Sequence, residues 1–417
     1  MGPGSRKDES WDILSELLVC SPRPYPGAWG VGYLALLGST IAAGLRALLA
    51  SNSEPIRPNA PVWAVAFTPV ERDVLSEVEA ASAGEVVLID AENPLALWSR
   101  KEYATARFRA GCSLVSQSGT SLGQKLVRWG ARAREATAAL AELELHARGP
   151  IPQAIILANQ FSPRQKALLS AFSLRGVRSV YVQHAAIGGF EGPLIVDCAV
   201  LQGFDSVRKY LAQGPAPLEL VLGGAIKVEA ARGLRTTGSS AAVIGLCPDI
   251  GLNPEDCGAK VIGDAQRLAA ETGATSVQIR PHPTDSFFEA WRAAAVAAGV
   301  KFSDSRVVPT QSFLASLKGL VVGDSNLVVE ALALGVEVRP LDGSGLPRSD
   351  QYGMIAAGVL DPMRRRSALG RFVHMPKRDP GRLARVVARL GLAPVEAAAG
   401  TNARKFRLAN AVNLWLL

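Results

Sequence analysis

The chain has 417 residues, of which 48% are hydrophobic and 20% are charged. This length predicts two domains of roughly 200 residues each, and the composition excludes long disordered regions. The formal charge of +8 favours anionic partners, whereas an aromatic content of 6%, without basic blocks interleaved with aromatic residues, argues against nucleic acid as the partner.

We expect no signal peptide, because residues 1–5 lack a basic segment followed by an apolar core. Five widely spaced cysteines without metal-ligand spacing predict free, mostly buried thiols in a reducing compartment. Residues 28–50 are almost all apolar or small, with Arg46 as their one charge. We expect a buried or membrane-surface helix there, with a membrane span as the alternative.

Strands and helices alternate along the rest of the chain. We predict strands at residues 62–67, 85–90, 154–158, 179–182 and 242–246, and helices at residues 71–81, 122–146, 163–174 and 259–272. Residues 232–240 are small and polar and predict the linker. The expected fold is α/β, with two Rossmann-like domains facing an interdomain cleft. They span residues 1–235 and 236–400, and residues 401–417 would form an amphipathic helix on the other domain or on a membrane.

Two turns of the second domain contain candidate ligand-binding residues. The β-branched residues at 277 and 279 predict a buried strand, which is expected to end at Arg280-Pro281-His282-Pro283. The two prolines fix the backbone on both sides of the imidazole. Near residue 323 a second strand is expected to pass through Asp324, Ser325 and Asn326 into a helix that stops at Gly335. Such turns lie where open α/β sheets bind ligands, and together they predict a phosphate site.

The first domain has a comparable turn. The strand at residues 179–182 leads into Gln183-His184, and a glycine-rich loop that contains Glu191-Gly192 follows. By the same argument, His184 faces the cleft from the opposite domain.

The order of these motifs resembles that of the GT-B enzymes of bacterial surface polysaccharide synthesis. The resemblance covers residues 181–341 and rests on Gln183-His184, Asp197, Gly203, Gly223-Gly224, Arg280 to Pro283, Gly323-Asp324-Ser325, Glu330-Ala331 and Gly335. The group includes Kdo transferases, sialyltransferases with a His-Pro motif and CDP-glycerol glycerophosphotransferases. It implies that a CMP- or CDP-linked donor is bound by Arg280, His282, Pro283, Ser325, Asn326 and Glu330.

The resemblance implies a metal-independent glycosyltransferase that moves Kdo or a related sialic-acid-like sugar from a CMP-linked donor, with no further cofactor. The acceptor would be a membrane-linked oligosaccharide of a capsule or lipopolysaccharide. The enzyme would work in the cytoplasm, with peripheral attachment to the plasma membrane left open. Transfer needs a carboxylate as base or nucleophile; Asp249 is the first candidate and Glu191 the second, while His184 positions donor or acceptor.

Three alternatives remain open from the sequence. A CDP-alditol phosphotransferase would depend on cytidine diphosphate, and a non-catalytic GT-B subunit would bind CMP without turnover. A sugar-nucleotide epimerase on the same fold would prefer UDP to CMP.

Overall fold

The computed structural model describes residues 29–49, 61–91, 98–116, 131–188, 191–215, 217–227, 242–341, 350–361, 365–374, 404–407 and 413–416. The predicted linker at residues 232–240, the predicted domain boundary at residue 235 and the first part of the predicted helix at residues 122–146 lie outside the described residues.

The first half of the chain alternates strands and helices, as its sequence pattern predicts. The elements are α1 (Trp29–Leu49), β1 (Val62–Ala66), α2 (Pro69–Ala80), β2 (Val86–Asp90), α3 (Arg100–Ser116), α4 (Ala131–His146), β3 (Ala154–Leu157), α5 (Pro163–Ser173), β4 (Arg178–Val182), β5 (Cys198–Leu201), α6 (Phe204–Gln213) and β6 (Glu219–Leu222).

A second run of elements follows. It comprises β7 (Val243–Cys247), α7 (Pro254–Thr272), β8 (Ser276–Ile279), α8 (Phe288–Ala297), β9 (Lys301–Phe302), α9 (Thr310–Ser316), β10 (Leu317–Val322), α10 (Leu327–Ala333), β11 (Glu337–Pro340), α11 (Met354–Ala357) and α12 (Arg365–Phe372). The chain ends in two short strands, β12 (Arg404–Arg407) and β13 (Asn413–Leu416).

These strands form two separate sheets. The first has the order β12-β13-β6-β5-β4-β3-β1-β2, and the second has the order β11-β10-β7-β8-β9. All pairings are parallel except that of β12 with β13. This arrangement confirms the predicted α/β fold with two Rossmann-like domains.

The C-terminal amphipathic helix predicted for residues 401–417 was wrong. Residues 404–407 and 413–416 are strands, and β13 pairs in parallel with β6. Without β13, β6 would be an edge strand with a row of unpaired backbone N–H and C=O groups. The C-terminal segment satisfies these groups as a strand, which a helix could not do.

Both sheets are covered on both faces, which explains their apolar strands. Along β1, Trp63 and Val65 pack in one core cluster while Val62 and Ala64 pack in another. The strands of the second sheet divide in the same way between two further clusters. Three of the four cysteines among the described residues are buried and all four are free, as the sequence predicts.

Local sequence signals fix where the helices begin. Thr68 caps α2 by accepting the N–H of Glu71, and Pro69 occupies the first turn. At α5, Ser162 and Gln165 form a reciprocal capping box in front of the same kind of proline. Each cap fixes the residue at which its helix begins, so the strand before it ends a few residues earlier. The strand ends therefore lie at one edge of the sheet.

The apolar helix predicted at residues 28–50 is α1, which spans Trp29–Leu49. Among the helices that the structure describes, none combines the length and the apolar character that crossing a bilayer requires.

Candidate functional site

Each sheet has a point at which the strand order reverses. In the first sheet β1 lies between β2 and β3, and in the second β7 lies between β8 and β10. Ligands of open α/β sheets bind outside the carboxyl ends of the strands at such points. The turns after β1 and β3 in one domain, and after β7 and β10 in the other, lie at these points. The turn after β4 lies beside them, because β4 pairs with β3.

Asp249, the first predicted catalytic carboxylate, joins two turns of the second domain. It follows β7, and its Oδ1 accepts the N–H of Asp324, after β10, at 3.1 Å. Burial raises the pKa of Asp249, the Asp324 N–H opposes this, and the Asp324 carboxylate adds to the increase. Gly323 makes room for this arrangement, since a Cβ there would overlap the Asp249 carboxyl group.

The turn after β10 also reaches the first domain. Asn326 Oδ1 accepts the N–H of Ala186 at 2.6 Å, while Ser325 Oγ accepts the N–H of Leu327 at 3.3 Å. The helix that follows this turn is shorter than the sequence predicts, because α10 begins only at Leu327. The N–H groups of Ser325 and Asn326 make no hydrogen bond within the part of the chain that the structure describes. Two adjacent N–H groups of this kind can bind an anion.

His184 lies two residues before Ala186 and is held as a neutral ring. Its Nδ1 lies 2.5 Å from the carbonyl oxygen of Ala158, after β3. A carbonyl only accepts, so Nδ1 carries the proton and Nε2 carries a lone pair. Burial lowers the pKa of His184 to about 4, Lys227 acts in the same direction, and the Ala158 carbonyl opposes it. The ring is therefore neutral near pH 7, and its Nε2 can accept a hydrogen bond.

Glu330 brings a carboxyl group to the same region. It lies four residues after Asn326, and so on the same face of α10. Burial raises the pKa of Glu330, the Lys227 ammonium opposes this, and the carboxylate of Asp73 on α2 adds to it. Lys227 follows Ala225, which belongs to the same buried cluster as the apolar residues of α10. Lys227 thus acts electrostatically on His184 of the first domain and on Glu330 of the second.

Arg280, predicted to bind the donor phosphate, has its guanidinium engaged elsewhere. The group donates to Ser303 Oγ at 3.2 Å, to the carbonyl of Val308 at 2.8 Å and to Thr310 Oγ1 at 3.4 Å. It also lies 5.0 Å from the centre of the Phe313 ring. These contacts brace the turn after β8 against the segment that follows β9.

His282 and Pro283 lie on the exposed surface of that turn. The Thr284 hydroxyl lies 2.8 Å from His282 Nδ1, and burial of part of the ring lowers the pKa of His282. The Pro283 carbonyl accepts the Nε–H of Arg306 at 3.2 Å. Among the described residues, His282 makes no hydrogen bond to the first domain. The structure does not bring it together with His184 or Asn326.

Glu191, the second candidate carboxylate, closes its own loop. Its Oε1 accepts the N–H of Gly188 at 2.5 Å. Burial raises the pKa of Tyr181 and of Tyr352, and the charge of Glu191 adds to both increases. Glu191 therefore lies near the junction of the domains.

A continuous line of contacts emerges from these turns. Asp249 binds Asp324, Asn326 follows two residues later and binds Ala186, and His184 precedes Ala186 by two residues. Lys227 and Asp73 were missed by sequence reasoning, because neither belongs to a motif. Across the described ranges, no group of three or more His, Cys, Asp or Glu side chains is arranged to hold a metal ion.

No protein-family model matches the chain, and no curated protein is significantly similar to it. Its fold does resemble solved structures. One is the UDP-GlcNAc 2-epimerase of Neisseria meningitidis bound to UDP-GlcNAc, with 10% identity, a TM-score of 0.47, and 79% of this chain and 99% of that chain covered. Another is a putative UDP-N-acetylglucosamine 2-epimerase from Listeria monocytogenes, with 12% identity, a TM-score of 0.48, and 80% and 96% covered.

The UDP-GlcNAc 2-epimerase of Methanocaldococcus jannaschii is similar at 10% identity, with a TM-score of 0.45 and coverage of 79% of this chain and 99% of that chain. Similarity at this level concerns the fold and gives no residue of this chain a role.

The predicted family and function were wrong. The solved structures named above are UDP-GlcNAc 2-epimerases rather than Kdo transferases or sialyltransferases. The same finding overturns the prediction of a CMP-linked donor for capsule or lipopolysaccharide synthesis. It also gives no support to the CDP-alditol phosphotransferase or the non-catalytic subunit.

Proposed function

We propose that this chain is an enzyme that binds a nucleotide sugar at the junction of its two domains and acts on it by proton transfer, with a UDP-linked sugar as the first candidate. The observation that carries the proposal is the hydrogen bond between Ala186 N–H and Asn326 Oδ1. This bond places the neutral imidazole of His184 and the buried carboxyl of Glu330 against the turn with two unused N–H groups.

The parts of a nucleotide sugar match the groups at this junction. Backbone N–H groups at Ser325 and Asn326 suit a phosphate oxygen, and Lys227 supplies a positive charge for the diphosphate. A buried carboxyl such as Glu330 can accept hydrogen bonds from ribose hydroxyls. Asp249, Glu191 and His184 remain the candidates for proton transfer, whereas the roles predicted for Arg280, His282 and Pro283 on the turn after β8 stay predictions.

His184 and Asp249 have complementary properties for proton transfer. The lowered pKa of His184 leaves its Nε2 lone pair available near pH 7. The raised pKa of Asp249 makes it easier for this carboxyl to hold a proton. Two groups with pKa values displaced in opposite directions are typical of acid–base pairs in active sites. Epimerisation, which inverts one carbon by removing and returning a proton, is therefore the reaction to test first.

Calorimetric titration with UDP, UDP-GlcNAc, CMP and ADP tests the binding step. We expect UDP or UDP-GlcNAc to bind, and Glu330→Gln and Lys227→Met to weaken binding by about 10- to 100-fold, since hydrogen bonds to charged groups contribute roughly 1.5–3 kcal/mol. The exposed Glu255→Gln and Lys260→Met on α7 serve as matched controls. Absence of uridine nucleotide binding, or equal loss in the controls, would refute the proposal.

Proton transfer is tested separately by NMR of UDP-GlcNAc incubated with the enzyme in deuterated water. We expect a carbon-bound proton of the sugar to exchange with wild type, and His184→Gln to abolish this exchange while nucleotide binding persists. Binding without any exchange would leave a nucleotide-sugar protein whose chemistry is not proton transfer.

A further inference from the structure

Lys209 on α6 is a partly buried lysine that none of the sequence motifs contains. Its side chain is 12% exposed. Its ammonium donates to the carbonyl of Ile187 at 2.7 Å and to that of Tyr352 at 2.7 Å, and it pairs with Asp205 Oδ2 at 2.7 Å. An ammonium has three N–H donors. All three are therefore used in this arrangement.

The three acceptors lie in three different parts of the molecule. Asp205 is one turn earlier on the same helix. Ile187 belongs to the segment after β4 that carries His184 and Ala186, whereas Tyr352 belongs to the second domain, just before α11. The ring of Phe372 on α12 lies 5.4 Å from the Lys209 nitrogen. One side chain thus contacts the His184 segment and two segments of the second domain.

Tyr352 extends this connection to the candidate site. Its phenol interacts with the side chain of Asn326, and burial raises the pKa of Tyr352. Asn326 in turn accepts the N–H of Ala186. The segment from His184 to Ile187 is therefore attached to the second domain twice, through Asn326 and through Lys209.

The first-domain side of this connection has hydrogen bonds that do not involve Lys209. Gln183 donates to Ser206 Oγ on α6 at 2.9 Å, and its Oε1 accepts the N–H of Gln202 at 2.8 Å. The N–H of His374, after α12, donates to the carbonyl of Gln202 at 2.6 Å. Because these hydrogen bonds hold Gln183 and α6 together without Lys209, removing its ammonium should free the His184 segment rather than shift α6.

We propose that Lys209 is a positioning residue that fixes the His184 segment against the second domain, and so keeps His184 opposite Asn326 and Glu330. The consequence for ligand binding rests on the proposed function, whereas the connection between the domains does not. Loss of the ammonium releases the carbonyls of Ile187 and Tyr352 together, and the two segments that contain them then open more often.

Hydrogen–deuterium exchange of Lys209→Met tests this directly. The matched control is Arg208→Met, because Arg208 pairs with the same Asp205 at 2.9 Å but its side chain is 76% exposed. We expect exchange at residues 184–188 and 350–357 to accelerate about tenfold or more in Lys209→Met, since each hydrogen bond to a charged group contributes roughly 1.5–3 kcal/mol. Arg208→Met should exchange like wild type.

A second variant and a UDP affinity measurement separate failure of this proposal from failure of the proposed function. If Lys209→Met does not fold, Lys209→Arg retains the charge beside Asp205 but places its planar donors differently, and the same two segments should still exchange faster than in the control. UDP affinity should fall about tenfold in the variant that folds, by the same hydrogen-bond magnitude. Equal exchange in Lys209→Met and Arg208→Met overturns the proposal. Failure of wild type to bind UDP refutes the proposed function alone.

Discussion

Gly323→Ala is expected to disturb the candidate site and to destabilise the second domain. The φ angle of Gly323 lies outside the left-handed region, so its backbone accepts an alanine without strain. The new Cβ, however, would overlap Oδ1 and Cγ of Asp249. The carboxyl group must move, and its hydrogen bond to the N–H of Asp324 at 3.1 Å is lost.

The size of the effect follows from these two losses. Overpacking costs about 1–3 kcal/mol, and a lost hydrogen bond adds about 1 kcal/mol. We therefore expect Gly323→Ala to lower the free energy of unfolding by about 2–4 kcal/mol. Urea denaturation followed by the fluorescence of the tryptophans, which include the fully buried Trp291 of the second domain, measures it.

A double-mutant cycle decides whether Asp249 is the cause. In an Asp249→Ala background, Gly323→Ala should cost less than about 1 kcal/mol, because the overlapping carboxyl is gone. Gly263→Ala is the control within α7, where the nearest atom is 3.9 Å from the added Cβ, and it should stabilise the protein by about 0.5–1 kcal/mol. An unchanged cost of Gly323→Ala without the Asp249 carboxylate would refute the reasoning.

Two further predictions concern the core of the first domain. Burial lowers the pKa of His146 to about 3, with Arg164 and Arg175 acting in the same direction; the unfolded chain then binds a proton that the folded chain does not, and stability falls as pH drops from about 6.5 towards 3. His146→Leu should remove about 2 kcal/mol of this loss between pH 6.5 and 5. Urea denaturation at both pH values measures the difference. If wild type and His146→Leu lose the same stability over this range, the lowered pKa of His146 is not the cause. Arg164 donates from Nε to the buried Glu142 at 2.7 Å, so Arg164→Met should cost about 3–5 kcal/mol. Arg148→Met, at an exposed pair with Glu144, should cost less than about 1 kcal/mol; similar losses in the two variants would show that burial does not govern the Glu142 pair.

Much of the architecture could be predicted because its signals are local. The strand from residue 179 and that from residue 243 are short apolar runs bounded by turn residues, and Thr68 and Ser162 mark the helix starts in the sequence itself. The parallel sheet then follows from the alternation of the two kinds of element. Topology also explains why the strand-end residues His184 and Asn326 could be expected near one another.

What the sequence could not show depends on contacts between distant residues. Arg280 and His282 look alike as cationic residues of one turn, yet Ser303 and Val308, from a later segment, engage the guanidinium of Arg280. Lys227 belongs to no motif, and its electrostatic effect on Glu330 arises only in the folded chain, where Ala225 and the apolar residues of α10 share one buried cluster. The prediction of a cytidine nucleotide rested on weak motifs at strand ends, and such motifs follow the fold rather than the ligand.

The pairing of β13 with β6 has a consequence for biosynthesis. The strands of the first sheet up to β6 leave the ribosome before the second domain, but β13, which covers the edge of β6, follows that domain. At elongation rates of roughly 5–20 residues per second, the edge of β6 stays uncovered on the order of ten seconds or more. An open parallel edge can pair with another nascent chain. Chains interrupted before residue 413 would keep that edge permanently, so premature termination is expected to yield aggregating products rather than a soluble first domain.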